Sequence, residues 1–197
     1  INKGDKIAFL SKDSMALTNF FKILMGEEEA DTGTYKFGQT ITNAYLPNEN
    51  EMYFQSDDSL IDWLRQYSEG EKDEVYIRGF LGKMLFSGEE SLKKSSVLSG
   101  GEKVRCMLSR MMLQQANLLI LDEPTNHLDL ESITAFNNSL VDYKGTVLFT
   151  SHDHTFTHTI ANRIIEIGPN GYIDKLCTYD EYVENEAFAE QRAKLYS

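Results

Sequence analysis

Apolar and polar positions along this chain follow two rhythms. Short continuous apolar runs read as strands buried on both faces: Lys6–Leu10, the run inside "NLLILDEP" that ends at Asp122, and Thr146–Thr150 inside "TVLFTSHD". Between them, apolar residues recur every three or four positions. That spacing predicts helices over 18–25, 60–67 ("LIDWLRQY", with caps offered by Asp57, Asp58 and Ser59), 73–86, 130–140 and 153–160. Gly79 and Gly82 weaken the third of these. After Ser99, the positions of Val104, Leu108, Met111 and Met112 predict a further helix. Met107, Met111 and Met112 read as its core filler. Residues 33–46, "GTYKFGQTITNAYL", alternate with period two about Gly38 and predict a β-hairpin. Two more strands are expected over 163–167 and 172–176, then one charged helix over 179–196, within a C-terminal helical region of about 179–197.

Strands alternating with helices predict an α/β fold with a largely parallel sheet. The all-helical stretch between Met52 and Ser95 interrupts that alternation. It predicts a helical subdomain, about 52–110, inserted in a single domain spanning 1–197. The opening "INKGDKIAFL" reads as the middle of a domain, so the chain is expected to be a piece of a longer protein.

Composition narrows the partners. With 31 acidic residues against 19 Lys and Arg, the net charge of −12 argues against sequence-specific or phosphate-driven binding of nucleic acid. It leaves open a partner that presents a basic protein surface. No apolar run approaches the ~20 residues of a membrane span. Cys106 and Cys177 lack CxxC spacing, which predicts a reducing compartment with neither disulfide nor zinc. His154 and His158 stand at i,i+4, but no third metal ligand accompanies them.

Three segments carry chemistry. In "LSGGEKVR", Ser99, Gly100 and Gly101 precede a helix. The segment reads either as an ordinary Ser-capped start or as a place where backbone N–H groups meet an anion. "LLILDEPTNHLD" ends a buried strand in Asp122 and Glu123. In a nucleotide hydrolase the first acid holds Mg²⁺ and the second polarises water. "TVLFTSHD" puts His152 at another strand end, where parallel α/β sheets bind ligands.

In combination and order these segments resemble the nucleotide-binding domain of the ATP-binding cassette superfamily. The resemblance covers essentially the whole chain. "DEPTNHLD", "SHDHTFTHTIANRIIEI" and the closing "YDEYVENEAFAEQRAKLYS" are similar to the C-terminal cassette of its ABC-F family. The resemblance implies a P-loop NTPase (RecA-like) core with a small β-hairpin region and an inserted helical subdomain. It implies ATP and Mg²⁺ as cofactors, a cytoplasmic protein, and an N-terminal cassette of the same chain as head-to-tail partner. It also implies a task on the ribosome. The signature Ser99, Gly100, Gly101 and Glu102 would serve the partner's ATP, with Asp129 in the D-loop. Glu123 would be the general base, His152 would sense the γ-phosphate, and Thr18, Asn48 and Asp122 would hold the metal.

Two departures stand out. A family phosphate loop reads G-x-x-G-x-G-K-[ST]-T. The matching positions here are Ser11, Lys12, Asp13, Ser14, Met15, Ala16, Leu17, Thr18 and Asn19. Thr18 keeps the metal-binding hydroxyl, but Leu17 replaces the phosphate lysine, and Ser11, Ser14 and Ala16 replace glycines. A lost charge-assisted contact of roughly 1.5–3 kcal/mol corresponds to about ten- to hundredfold weaker binding. The family's "YLPQ" reads "YLPN", and Asn48 is one methylene shorter than the glutamine that helps hold Mg²⁺. The leading expectation is an ATPase cassette with its own site impaired. The alternatives are a pseudo-ATPase half that supplies its signature in trans, and the ATPase subunit of a transporter.

Overall fold

The computed structural model describes residues 1–70 and 72–197. Its strands are β1 (Lys6–Leu10), β2 (Asn43–Leu46), β3 (Leu118–Asp122), β4 (Thr146–Thr150), β5 (Arg163–Gly168) and β6 (Gly171–Lys175). Its helices are α1 (Ser14–Met25), α2 (Leu60–Arg65), α3 (Glu74–Lys83), α4 (Gly100–Gln114), α5 (Leu130–Asp142), α6 (His154–Ile160), α7 (Tyr179–Glu184) and α8 (Glu186–Leu195). The strands form one sheet in the order β2-β3-β4-β1-β5-β6. All neighbours are parallel except β5 and β6.

The continuous apolar strands are explained by the two faces of this sheet. Ile7, Phe9, Leu118, Ile120 and Leu148 point to one face and pack on Leu17 and Phe21 of α1. Ala8, Leu119, Leu121, Val147 and Phe149 point to the other, against residues of α4, α5 and α6. Strand residues alternate between faces, so a strand covered on both sides needs apolar residues at every position.

On the helical side, Trp63 of α2, Ile77 and Leu81 of α3, and Met107 of α4 are all buried together. The Trp63 indole N–H donates to the Tyr53 carbonyl at 2.7 Å.

Three expectations change, the first being that α1 begins at Ser14 rather than at Thr18, because Asp13 caps it. The predicted hairpin is absent: only Asn43–Leu46 forms a strand, and it pairs in parallel with β3. The alternation in 33–42 confers β propensity, but no described strand lies beside it. Asn117 ties this segment down instead, its N–H donating to the Thr42 carbonyl at 3.0 Å and its amide Nδ2 to Thr40 at 2.8 Å. The single C-terminal helix is two. Asn185 ends α7, and its side chain accepts from the Phe188 N–H at 3.2 Å to cap α8.

Candidate functional site

The carboxyl ends of β1, β3 and β4 open into a cleft of about 640 Å³. It brings together Ser11, Ser14, Met15, Leu17, Thr18, Asn19, Asn48, Asp122, Glu123 and His152. This is the crevice where open parallel sheets place ligands.

Asp122, the last residue of β3, is only 2% exposed. One carboxylate oxygen accepts from the Thr150 hydroxyl at 2.9 Å. The other, Oδ2, is buried and has no hydrogen-bond partner among the described residues. A buried carboxylate oxygen without a donor costs free energy unless a cation or water meets it. With Thr18 and Asn48 lining the same cleft, the donor set fits a hard, oxygen-seeking Mg²⁺.

Glu123 follows at a left-handed φ of 52°. Its N–H donates to the Thr150 hydroxyl at 3.0 Å, so one hydroxyl ties down both acids. Its carboxylate accepts from the His152 N–H at 3.2 Å and lies 3.4 Å from the His152 imidazole Nε2. Burial raises the Glu123 carboxyl above its ordinary range, and neighbouring His152 pulls it partly back. That environment suits a proton acceptor for water.

The loop half of the cleft is organised differently. Asp13 caps α1, its carboxylate accepting from the Met15 N–H at 3.0 Å and the Ala16 N–H at 3.2 Å. Ser11 Oγ accepts from the Asp13 N–H at 3.1 Å. The Tyr196 hydroxyl, at the end of α8, accepts from the Lys12 N–H at 3.2 Å. Four amides that an anion would otherwise recruit are thus satisfied by the chain's own oxygens. Lys12 does not line the cleft; its Nζ lies 4.1 Å from the centre of the Tyr196 ring. Asp13 and Ala16 are also outside the cleft lining. Leu17 is 5% exposed and packs among Phe9 and Phe21.

The signature lies apart from this cleft. Ser99 and Glu102 form a capping box at the start of α4, and Lys93 Nζ donates to Glu102 at 2.7 Å. Burial opposes ionisation of Glu102, but the bonds to Lys93 and Ser99 outweigh it and hold the carboxyl below its usual value. Gly101 is required by close approach: a Cβ there would stand 2.4 Å from the His127 carbonyl oxygen. The second glycine therefore seats α4 against the D-loop. Asp129 caps α5 through the Ser132 N–H at 2.8 Å, which holds its carboxyl low, and it does not line the cleft.

Sequence reasoning missed Thr150, which positions both acids, and Tyr45, whose buried hydroxyl lines the cleft without a partner. A polar residue closing an apolar strand was the available signal for Thr150. It also missed the Tyr196 contact, which joins positions 184 residues apart. His154 and His158 are engaged by Tyr179 at 3.3 Å and Asp180 at 2.8 Å.

Comparison with known proteins accords with this geometry. The model of the family described as "ABC transporter" matches residues 2–126. The chain is 60% identical over 198 residues to "Uncharacterized ABC transporter ATP-binding protein YkpA" of Bacillus subtilis (strain 168), covering all of this chain (100%) and 37% of that protein. It is 29% identical over 192 residues to "Energy-dependent translational throttle protein EttA" of Haemophilus influenzae, covering 92% of this chain and 34% of that one. The chain thus spans about a third of the length of these relatives. Its fold is similar to that of "RNase-L Inhibitor", with a TM-score of 0.76 at 20% identity over 100% of this chain and 44% of the other. The chain belongs to the ABC transporter family of ATP-binding domains, and its relatives include members of the F branch.

Proposed function

We propose that the chain is the C-terminal cassette of a cytoplasmic ABC-F protein. Two cassettes would close head to tail around ATP, with the signature of each completing the other's site. In this reading residues of about 52–110 form the helical subdomain that presents Ser99–Glu102 to the partner. The chain's own site keeps its carboxylate side and has weakened its phosphate side. The observation that carries this reading is the asymmetry within one cleft: Asp122 Oδ2 is left without a partner, while the loop amides are already taken.

At this site Glu123 would accept the proton of the attacking water and His152 would sense the γ-phosphate. Thr18, Asn48 and Asp122 would hold Mg²⁺, whose charge offsets that of the phosphates. Leu17 supplies no charge to the γ-phosphate, so turnover here would be slow. A role at the ribosome is supported by the relative named a translational throttle protein.

The test is made in the two-cassette protein. Ser99→Arg, which blocks the partner's site, is expected to remove most ATP turnover. Glu123→Gln is expected to leave most of it. The reverse ranking overturns the asymmetric reading. ATP-dependent co-sedimentation with ribosomes tests the cellular partner, and sedimentation indifferent to ATP would count against it.

A further inference from the structure

The amino ends of the same strands carry a second cavity, of about 740 Å³, on the opposite side of the sheet from the carboxyl-end cleft. Its walls are Leu108 and Met111 of α4, Leu119 and Leu121 of β3, and Phe136 and Leu140 of α5, all buried side chains. Small-molecule sites are typically ~300–1,000 Å³, mostly apolar, with a few polar groups that fix orientation.

The polar groups here are of two kinds. Those in the wall are already paired. The Tyr143 hydroxyl donates to Ala116 at 2.6 Å, Ser139 to Ala135 at 3.0 Å, and the Asn117 side chain serves Thr40 and Thr42. The rim groups carry charge and are not ion-paired among the described residues, although Lys83 Nζ lies 4.9 Å from the centre of the Phe80 ring. Lys3, Lys83 and Lys144, from three separate segments, line the cavity, are exposed, and form no ion pair among the described residues. No acid among the described residues lines the cavity. In a chain with 31 acidic and 19 basic residues, three unpaired ammonium groups around one apolar mouth form a local reversal of charge.

We infer that this cavity binds a single-chain amphiphile, its apolar body among Met111, Leu119 and Phe136 and its anionic carboxylate head at the lysine rim. Apolar burial supplies most of the affinity, and the lysines select the head group. Neither the nucleotide cleft nor the signature face takes part, so the inference stands independently of the proposed function.

The test is titration of the chain with 11-(dansylamino)undecanoate below its micelle concentration, with dodecanoate and dodecanol as competitors. Saturable one-to-one binding is expected, with dodecanoate displacing the probe several-fold better than dodecanol, a margin that shrinks as salt screens the rim. Met111→Trp, which fills the cavity, is expected to abolish binding. Lys83→Glu with Lys144→Glu alters only exposed positions and is expected to remove the preference for dodecanoate. Far-UV circular dichroism verifies that each variant is folded. Should Met111→Trp fail to fold, the lysine variant decides. Non-saturable binding, equal displacement by acid and alcohol, or an unchanged preference in the lysine variant overturns the inference.

Discussion

The two halves of the nucleotide cleft, one built from strand ends and the other from the loop after β1, treat their polar groups differently although both line one cavity. At the ends of β3 and β4, Asp122 is buried and Glu123 half-buried, both are held by Thr150, and Asp122 Oδ2 has no hydrogen-bond partner among the described residues. In the loop, Asp13, Ser11 and Tyr196 take the amides, and Leu17 joins the core. In the asymmetric reading proposed above, such a loop would give up anion binding without losing its fold, because the chain's own oxygens satisfy the same backbone groups from within. An N-terminal helix turn needs an acceptor, and a carboxylate from the chain serves as well as a phosphate.

The largest effect is expected outside the cleft, at the seat of α4 on the D-loop, from Gly101→Ala. Its Cβ would meet the His127 carbonyl oxygen at 2.4 Å, a backbone atom that cannot swing aside. Overpacking of this kind costs about 2–3 kcal/mol, so the thermal midpoint is expected to fall by roughly 5–10 °C. A midpoint within a degree of the parent's would show that α4 is not seated on the D-loop. The rewritten half is probed by Asp13→Ala. Loss of the cap costs about 1 kcal/mol of stability. The freed amides of Met15 and Ala16 are expected to raise affinity for MgATP, so stability and binding move in opposite directions. A loss of both would mean that the cap shapes the loop for nucleotide rather than against it.

Glu123 gives a pH test. Burial raises its carboxyl, so the folded chain holds that proton more tightly than the unfolded chain. Stability then falls as pH rises from the ordinary carboxyl range, near 4.5, through the raised folded value. Glu123→Gln removes that loss. The variant is expected to melt above the parent at neutral pH and to converge with it in acid. A gap that widens in acid contradicts the assigned direction. The smallest effect is expected for Tyr196→Phe, which loses the hydroxyl that accepts from Lys12 and donates to Ile167 at 3.3 Å. About 0.5–1 kcal/mol is at stake. Hydrogen exchange should speed up at residues 11–16 and stay unchanged in α4; equal change in both would show that the halves are not separable.

How far the sequence foretold this follows the same division. Strands β1 and β4 and the two acids at the end of β3 were legible because burial on both faces writes an unbroken apolar run. The start of α1 was placed at Thr18, although "KDSM" is a local capping signal that starts it at Ser14. The family template put a loop there, and Asp13 obeyed local chemistry instead. The hairpin over 33–46 was read from alternation alone, which reports β propensity but not whether a partner strand exists. The Tyr196 contact and the lysine-rimmed cavity depend on pairings between distant segments that no local pattern encodes.

The central claim is that the loop of this cassette is occupied by its own chain. Calorimetric titration of MgATP into the chain and into Leu17→Lys tests it most directly. The account predicts weak or undetectable binding by the parent and affinity higher by about ten- to hundredfold in the variant, the worth of one restored contact to the phosphates. Tight binding by the parent, unchanged by Leu17→Lys, would contradict it and show that the rewritten loop still cradles phosphate.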